Sequence, residues 1–223
     1  MKIGHQDKKN LLIEALSYIQ RFRNQIIVIK YGGAAMIEEA LKTSFAQDIV
    51  LLQSLGMRPV VVHGGGPEVS KVIQSLGQKV TFVDGLRVTT AENLKVAEMV
   101  LSGNLNKGII THLQTFGGKA VGLSGKDGNL IQADKKKLAS GIDLGYVGTI
   151  RQINPELLHL LIREQFIPVV SPIGMGSSGE TYNINADTVA AAIAVALEAL
   201  SLIHISEPTR PERISYAVFC LKK

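Results

Sequence analysis

The sequence predicts an α/β fold: an open, mainly parallel sheet held between helices. Three observations carry this expectation. Short, unbroken runs rich in β-branched residues, "QIIVIK", "PVVVH" and "IPVVS", read as strands buried on both faces. Glycines follow the first two runs immediately, in "KYGG" and "HGGG". Stretches with helical spacing then separate one run from the next, as crossovers between parallel strands require.

Taken in order, "NLLIEALSYIQRF" (residues 10 to 22) has Asn10 as a cap and Leu12, Leu16, Ile19 and Phe22 close to one stripe, the pattern of an amphipathic helix. "QIIVIKYGG" is a strand ending in two glycines. "IEEALKTSFAQDIVLLQSLG" is helical and stops at Gly56, a natural residue just past a helix end. "RPVVVHGGG" repeats the strand and glycines, and Pro67 opens the next helix, "PEVSKVIQSLG". "KVTFVDGLRVT" alternates around Asp84-Gly85 as a hairpin does. A long helical stretch runs from Ala91 to about Gln114, followed by strands at "KAVGLSG", "NLIQAD" and "YVGTI" and a helix at "NPELLHLLIREQ". "IPVVSPIG" reads as one continuous strand, and "NADTVAAAIAVALEA" as an alanine-rich helix.

Composition bounds the function. The chain has 223 residues, with 46% hydrophobic, 19% charged and no tryptophan, an ordinary globular balance. Its longest apolar run, Val189 to Leu197, is too short to span a bilayer. "MKIGHQDKKN" has no apolar core of signal type, so the cytoplasm is expected, with no membrane partner. The net charge of +5 is dispersed, and the triplet Lys135 to Lys137 lacks interleaved aromatics, so no nucleic-acid partner is expected. The five histidines show no metal-ligand spacing, and a lone cysteine, Cys220, excludes an internal disulfide.

The last 24 residues depart from the pattern upstream. "LSLIHISEPTR" resembles the translation of a transposon-type sequencing adapter, and "ISYAVFCLKK" that of its flow-cell end running into poly-A. Residues 200 to 223 are therefore expected to be a non-native tail. That leaves an N-terminal helical extension over 1 to 25 and one domain over 26 to 199.

Bare N–H groups where a strand turns into a helix favour phosphate or another anion, and Lys30 adds a mobile positive charge beside the first such loop. Other glycine motifs fit less well. There is no GxxxxGK[ST] spacing and no GxSxG nucleophile elbow. "GMGSSG" (residues 174 to 179) satisfies GxGxxG, but "ETYNINAD" delays the following helix, so a dinucleotide site ranks low.

"IVIKYGGAAM", "VVVHGGGPEV", "DGLRVTT", "GLSGKDGNLI", "LGYVGTI", "IPVVSPIG" and "YNINADTVA" occur together and in this order. From about Asn10 to Ala199 the chain resembles the amino acid kinase family, and "GLRVT" with "NINAD" resembles its acetylglutamate kinases. The resemblance implies an αβα sandwich whose second, nucleotide lobe is largely missing here beyond its first helix. It implies ATP-dependent phosphorylation, with Mg2+, of the γ-carboxylate of N-acetyl-L-glutamate in arginine biosynthesis. Lys30 and Asp187 would be catalytic, Lys30 at the moving phosphoryl group and Asp187 orienting the lysines. Gly32 and Gly33 would offer N–H donors to phosphate. Gly65, Gly66, Arg87 and Asn183 would bind the amino-acid substrate.

The family's adenine pocket and a second catalytic lysine lie beyond the "NAD" helix, so this chain is expected to lack kinase activity. Family members with an N-terminal helix ending in a tyrosine, such as Tyr18, are hexameric and inhibited by arginine, and some similar enzymes bind a PII-type regulator. The resemblance thus implies a homo-oligomer. A related amino acid or carbamate kinase, and a non-catalytic module that holds an acidic amino acid or a regulator, stay open as alternatives.

Overall fold

A run such as "IIVIKY" has no polar face to offer water, so it must pair on both edges and be covered on both sides. In the computed structural model, which describes Ile13, Leu16 and residues 19–205, it does so. β1 (Ile26–Tyr31) lies between β11 (Ser201–Ile205) and β2 (Arg58–His63), and β2 is followed by β8 (Ile167–Ser171) and β5 (Ala120–Ser124). All four pairings in this five-stranded sheet are parallel. Its strands are the three continuous runs legible in the sequence, joined by β5 and β11.

Helices cover both faces. α1 (Glu39–Ser54) and α4 (Asn106–Thr115) pack one face, where Phe45, Ile49, Ile109 and Leu113 close over Ile29, Val61 and Val169. α5 (Glu156–Arg163) and α6 (Ala186–Ala196) pack the other, where Leu158, Val189 and Ile193 meet Val28, Val60 and Val170. α1 ends as expected: Gly56 takes φ +84°, and the N–H groups of Gly56 and Met57 return to Gln53 O and Leu52 O. α2 (Gly66–Ser75) and α3 (Ala91–Glu98) form a third, smaller core with Val69, Ile73, Val96 and Leu101.

The long helix predicted from Ala91 is present, but it is not uniform. Between α3 and α4 a π-helical segment, Met99–Leu105, widens the turn, a feature found at functional sites. The hairpin around Asp84-Gly85 is also present but short, β3 (Phe82–Val83) against β4 (Leu86–Arg87).

One expectation needs correction. "IPVVSPIG" is not one strand. It ends in the parallel sheet at Ser171, and β9 (Ile173–Met175) resumes beyond Pro172 in a different sheet. Pro172 lies between the two strands, and its carbonyl accepts from Ile184 N–H at 2.9 Å. β9 joins β6 (Ile131–Lys137), β7 (Asp143–Ile153) and β10 (Thr181–Asn183) in a small closed barrel, where "NLIQAD" and "YVGTI" pair antiparallel. "GMGSSG" accordingly spans the β9–β10 turn, not a strand-to-helix loop.

The sheet ends on a strand from the C-terminal region. Ser201–Ile205 lies past the expected domain boundary at Ala199, yet it is the edge strand against β1, with Lys30 in register with His204. "SLIHI" is short and β-branched, and β1 would otherwise present an open edge. The N-terminal helix expected over 10 to 22 lies mostly outside the described residues; residues 19–22 are helical. Tyr18, Cys220 and residues 206–223 also lie outside them.

Candidate functional site

In open parallel sheets ligands bind beyond the C-terminal strand ends, where loops diverge. Here the loops after β1 and β2 are the two glycine loops, tied together by Gly64 N–H donating to Tyr31 O at 2.7 Å. They form one side of a cleft of about 240 Å³. The hairpin of β3 and β4 forms a second side and the "NINAD" stretch a third. All eight residues singled out in the sequence line this cleft: Lys30, Gly32, Gly33, Gly65, Gly66, Arg87, Asn183 and Asp187.

Each glycine has a different reason. At Gly32 a Cβ would lie 3.1 Å from Lys30 Nζ and 3.2 Å from its Cε, so glycine leaves the lane in which the lysine chain lies. Its N–H donates to Ile205 O at 2.9 Å, so the donor expected to face a phosphate is engaged by β11 instead. Gly33 opens a 3-10 turn, Gly33–Met36, at φ +61°. Gly65 has φ +151°, and a Cβ there would collide with Leu105 Cδ1 and Leu101 Cδ2 of the π segment. Gly66 is open: its Cβ would meet only Arg87 Nη2, at 3.8 Å. Packing therefore demands glycine at position 65, whereas at position 66 it leaves space beside a cation.

That cation is built in. Arg87, only 9% exposed, donates from Nη2 to Gly66 O (2.7 Å) and Ser70 Oγ (2.8 Å). Its guanidinium carbon stands 5.0 Å from the centre of the Phe82 ring. Its Nη1 is buried without a partner. Burial lowers its pKa from the usual arginine value, so an anion in the cleft would relieve a real cost. Leu86, Leu101 and Val147 supply apolar wall beside it.

Across the cleft, Lys30 Nζ approaches Asp187 Oδ1 at 3.2 Å. Asp187 sits in the first turn of α6, where the helix dipole favours a carboxylate, and Asn185 caps that helix by accepting from Thr188 N–H at 3.0 Å. Asn183 donates to Thr89 Oγ1 at 3.4 Å.

Several contributors were not singled out in the sequence. His204 Nδ1 lies 3.3 Å from the same Asp187 oxygen that Lys30 contacts, and the strand carrying it was expected to be foreign tail. Asn185 and Gly64 also line the cleft; a capping asparagine one residue before Ala186 was the available signal for the first. His63 sits behind the glycines, fully buried. Asn106 Nδ2 donates to His63 Nε2 (3.2 Å) and to Val169 O (2.9 Å), which leaves His63 Nδ1–H to donate to Gly64 O (2.8 Å). Burial pushes the His63 pKa down to about 4, so the ring is neutral and acts as a brace.

Residues 25–207 match the amino acid kinase family. The chain belongs to that family. Among relatives of this amino acid kinase, the acetylglutamate kinase of Syntrophus aciditrophicus is 50% identical over 90% of this chain and 71% of its own length. That of Methanocaldococcus jannaschii is 54% identical over 90% of this chain and 70% of its own. This chain thus spans about 70% of the length of such relatives. Of solved structures, the N-acetylglutamate synthase of Neisseria gonorrhoeae, complexed with coenzyme A and N-acetyl-glutamate, superposes with a TM-score of 0.78 at 26% identity, covering 92% of this chain and 47% of that one. A carbamate kinase from Giardia lamblia bound to AMP-PNP (TM-score 0.59, 13% identity, covering 82% of this chain and 71% of that one) shares the fold.

Proposed function

We propose that the cleft is the acceptor side of an acetylglutamate kinase active site, whose reaction transfers the γ-phosphoryl group of ATP to the γ-carboxylate of N-acetyl-L-glutamate in arginine biosynthesis. The observation that carries this reading is the buried Arg87 Nη1, unpartnered beside the open Gly66 and across the cleft from the Lys30–Asp187 pair. Arg87 takes the α-carboxylate, whose charge repays the desolvation of the guanidinium. Gly66, backed by the tightly packed Gly65, lets the substrate lie against backbone, and Asn183 hydrogen-bonds its amide. Leu86, Leu101 and Val147 receive the acetyl methyl group.

A γ-carboxylate oxygen then attacks the γ-phosphorus as the bond to the β–γ bridging oxygen breaks, and ADP departs. Lys30 lies against the phosphoryl oxygens, where charge spreads in the transition state. Asp187 holds Lys30 in place. Among the described residues Asp187 is also the one carboxylate lining the cleft, which suits Mg2+ carried mainly on nucleotide phosphates. Bound there, the metal would neutralise charge on the transferring group. Among the described residues no three His, Cys, Asp or Glu gather into a metal site built by protein alone.

The 223-residue chain alone, shorter than its relatives, is proposed to hold the acceptor without turning it over. Calorimetry with N-acetyl-L-glutamate, followed by hydroxylamine trapping of acyl phosphate in the presence of Mg-ATP, tests both parts. Absence of binding overturns the site, and ATP-dependent hydroxamate overturns the inactivity. A cytoplasmic homo-oligomer joined through the N-terminal helix, hexameric and open to a PII-type regulator, completes the reading. Sedimentation after deletion of residues 1 to 22 tests the assembly, which an unchanged mass would refute. Among the described residues no helix is long and apolar enough to cross a membrane.

A further inference from the structure

A second, larger cavity, about 570 Å³, lies on the far side of the glycine loops from the cleft. The size suits a small organic ligand, for which pockets run from about 300 to 1,000 Å³. Its floor is apolar. Tyr31 stacks on Phe45 with ring centres 3.7 Å apart and planes within 6°, and the Tyr31 hydroxyl is already satisfied by Ala35 O at 2.8 Å. Met36, Leu105 and Ile109 complete that floor.

The mouth carries charged side chains. Among the described residues, Lys42, Lys71 and His112 line it with one carboxylate, Glu68. Two of the three already attract a carboxylate: Glu39 bridges Lys42 Nζ (3.2 Å) and His112 Nε2 (3.5 Å) from outside the cavity. Glu39 is itself 70% exposed, so an incoming acid can displace it at little cost. Lys71 has no ion pair or hydrogen bond among the described residues. Gly33, Gly65 and Pro67 line both cavities and form the wall between them. Leu101 faces the cleft and Leu105 the cavity, one turn apart on the π segment.

We propose that this cavity is a second ligand site, separate from the acceptor cleft, for an amphipathic organic anion: a flat apolar body on the Tyr31–Phe45 floor, with one acidic group at Lys42 and Lys71.

Gly108 provides a clean block. It lies on α4 in the cavity wall, and a Cβ there meets nothing within 4 Å. Gly108→Leu therefore fills the space without a clash, and it replaces a helix-interior glycine with a better helix former. The probe is anilinonaphthalene sulfonate, titrated by fluorescence into the full chain, with neutral N-phenyl-naphthylamine as the uncharged comparison. Saturable binding of the sulfonate is expected. Gly108→Leu should abolish it, and Lys42→Gln and Lys71→Gln should each weaken it by about fivefold or less, as expected for single exposed charges. Arg87→Gln and saturating N-acetyl-L-glutamate should leave it in place.

Four results overturn the proposal. Sulfonate binding that survives Gly108→Leu lies elsewhere. Binding lost to Arg87→Gln or competed by N-acetyl-L-glutamate belongs to the cleft. A sedimentation coefficient lowered by Gly108→Leu would make the cavity a seat for a second copy of the chain. Equal affinity for the neutral probe would remove the anion from the assignment.

Discussion

Gly65 and Gly66 are neighbours in one "HGGG" loop, and the structure separates their purposes sharply enough to measure. In Gly65→Ala the new methyl group carries two costs. A non-glycine residue held at φ +151° is strained by about 1–3 kcal/mol. Driving the methyl into Leu105 and Leu101 adds about 1–3 kcal/mol of overpacking. The expected loss is about 2–5 kcal/mol, a large part of the total stability of a typical domain. It should lower Tm by about 10 °C for a chain of this size.

In Gly66→Ala the methyl meets only Arg87 Nη2, at an ordinary 3.8 Å, so stability should stay within about 0.5 kcal/mol of wild type. Its methyl nevertheless occupies the approach to Arg87. Loss of one charge-assisted contact costs about 1.5–3 kcal/mol, a fall of about 10- to 150-fold in affinity for N-acetyl-L-glutamate. Urea denaturation and calorimetry on both variants give the four numbers required. Wild-type stability in Gly65→Ala, or wild-type affinity in a folded Gly66→Ala, would refute the assignment of packing to one glycine and ligand approach to the other.

Three further expectations follow from single residues. Arg87→Met removes the orphaned Nη1 and should weaken N-acetyl-L-glutamate binding by about 10- to 100-fold, with Arg87→Lys restoring little because an ammonium lacks the planar fork; calorimetry reads both. His63 has its folded pKa depressed from 6.5 to about 4, so the unfolded chain binds the extra proton first. Its contribution is therefore full above about pH 6.5 and lost as pH falls toward 4, by up to about 3 kcal/mol. An imidazole resonance for His63 that titrates near 6.5 by NMR would contradict this. Asn185→Ala deletes the α6 cap and should cost about 1 kcal/mol, a Tm shift of about 2–4 °C, with an unchanged melting curve as the contrary result.

Elements whose signal is local were legible from the amino acids alone. Continuous β-branched runs identified β1, β2 and β8, because a strand buried on both faces favours apolar residues at successive positions. Glycine and proline marked the loops, and Gly56 and Asp84-Gly85 marked a helix end and a hairpin through their own backbone preferences. The resemblance carried by "IVIKYGG", "HGGG", "GLRVT" and "NINAD" then named the cleft residues, and the fold brought all eight together.

Tertiary structure decided what depends on partners far along the chain. A strand pattern reports which faces are buried, not which strand it pairs with, so the barrel of β6, β7, β9 and β10 was not legible. Neither was the departure of β9 from the main sheet at Pro172. The same limit hid β11, whose residues pair with β1 and bring His204 to Asp187 across 17 positions of sequence. Three adjacent glycines look alike as letters. Only the π segment behind Gly65 and the guanidinium beside Gly66 give each its reason, because a missing side chain is explained by what stands where it would have been.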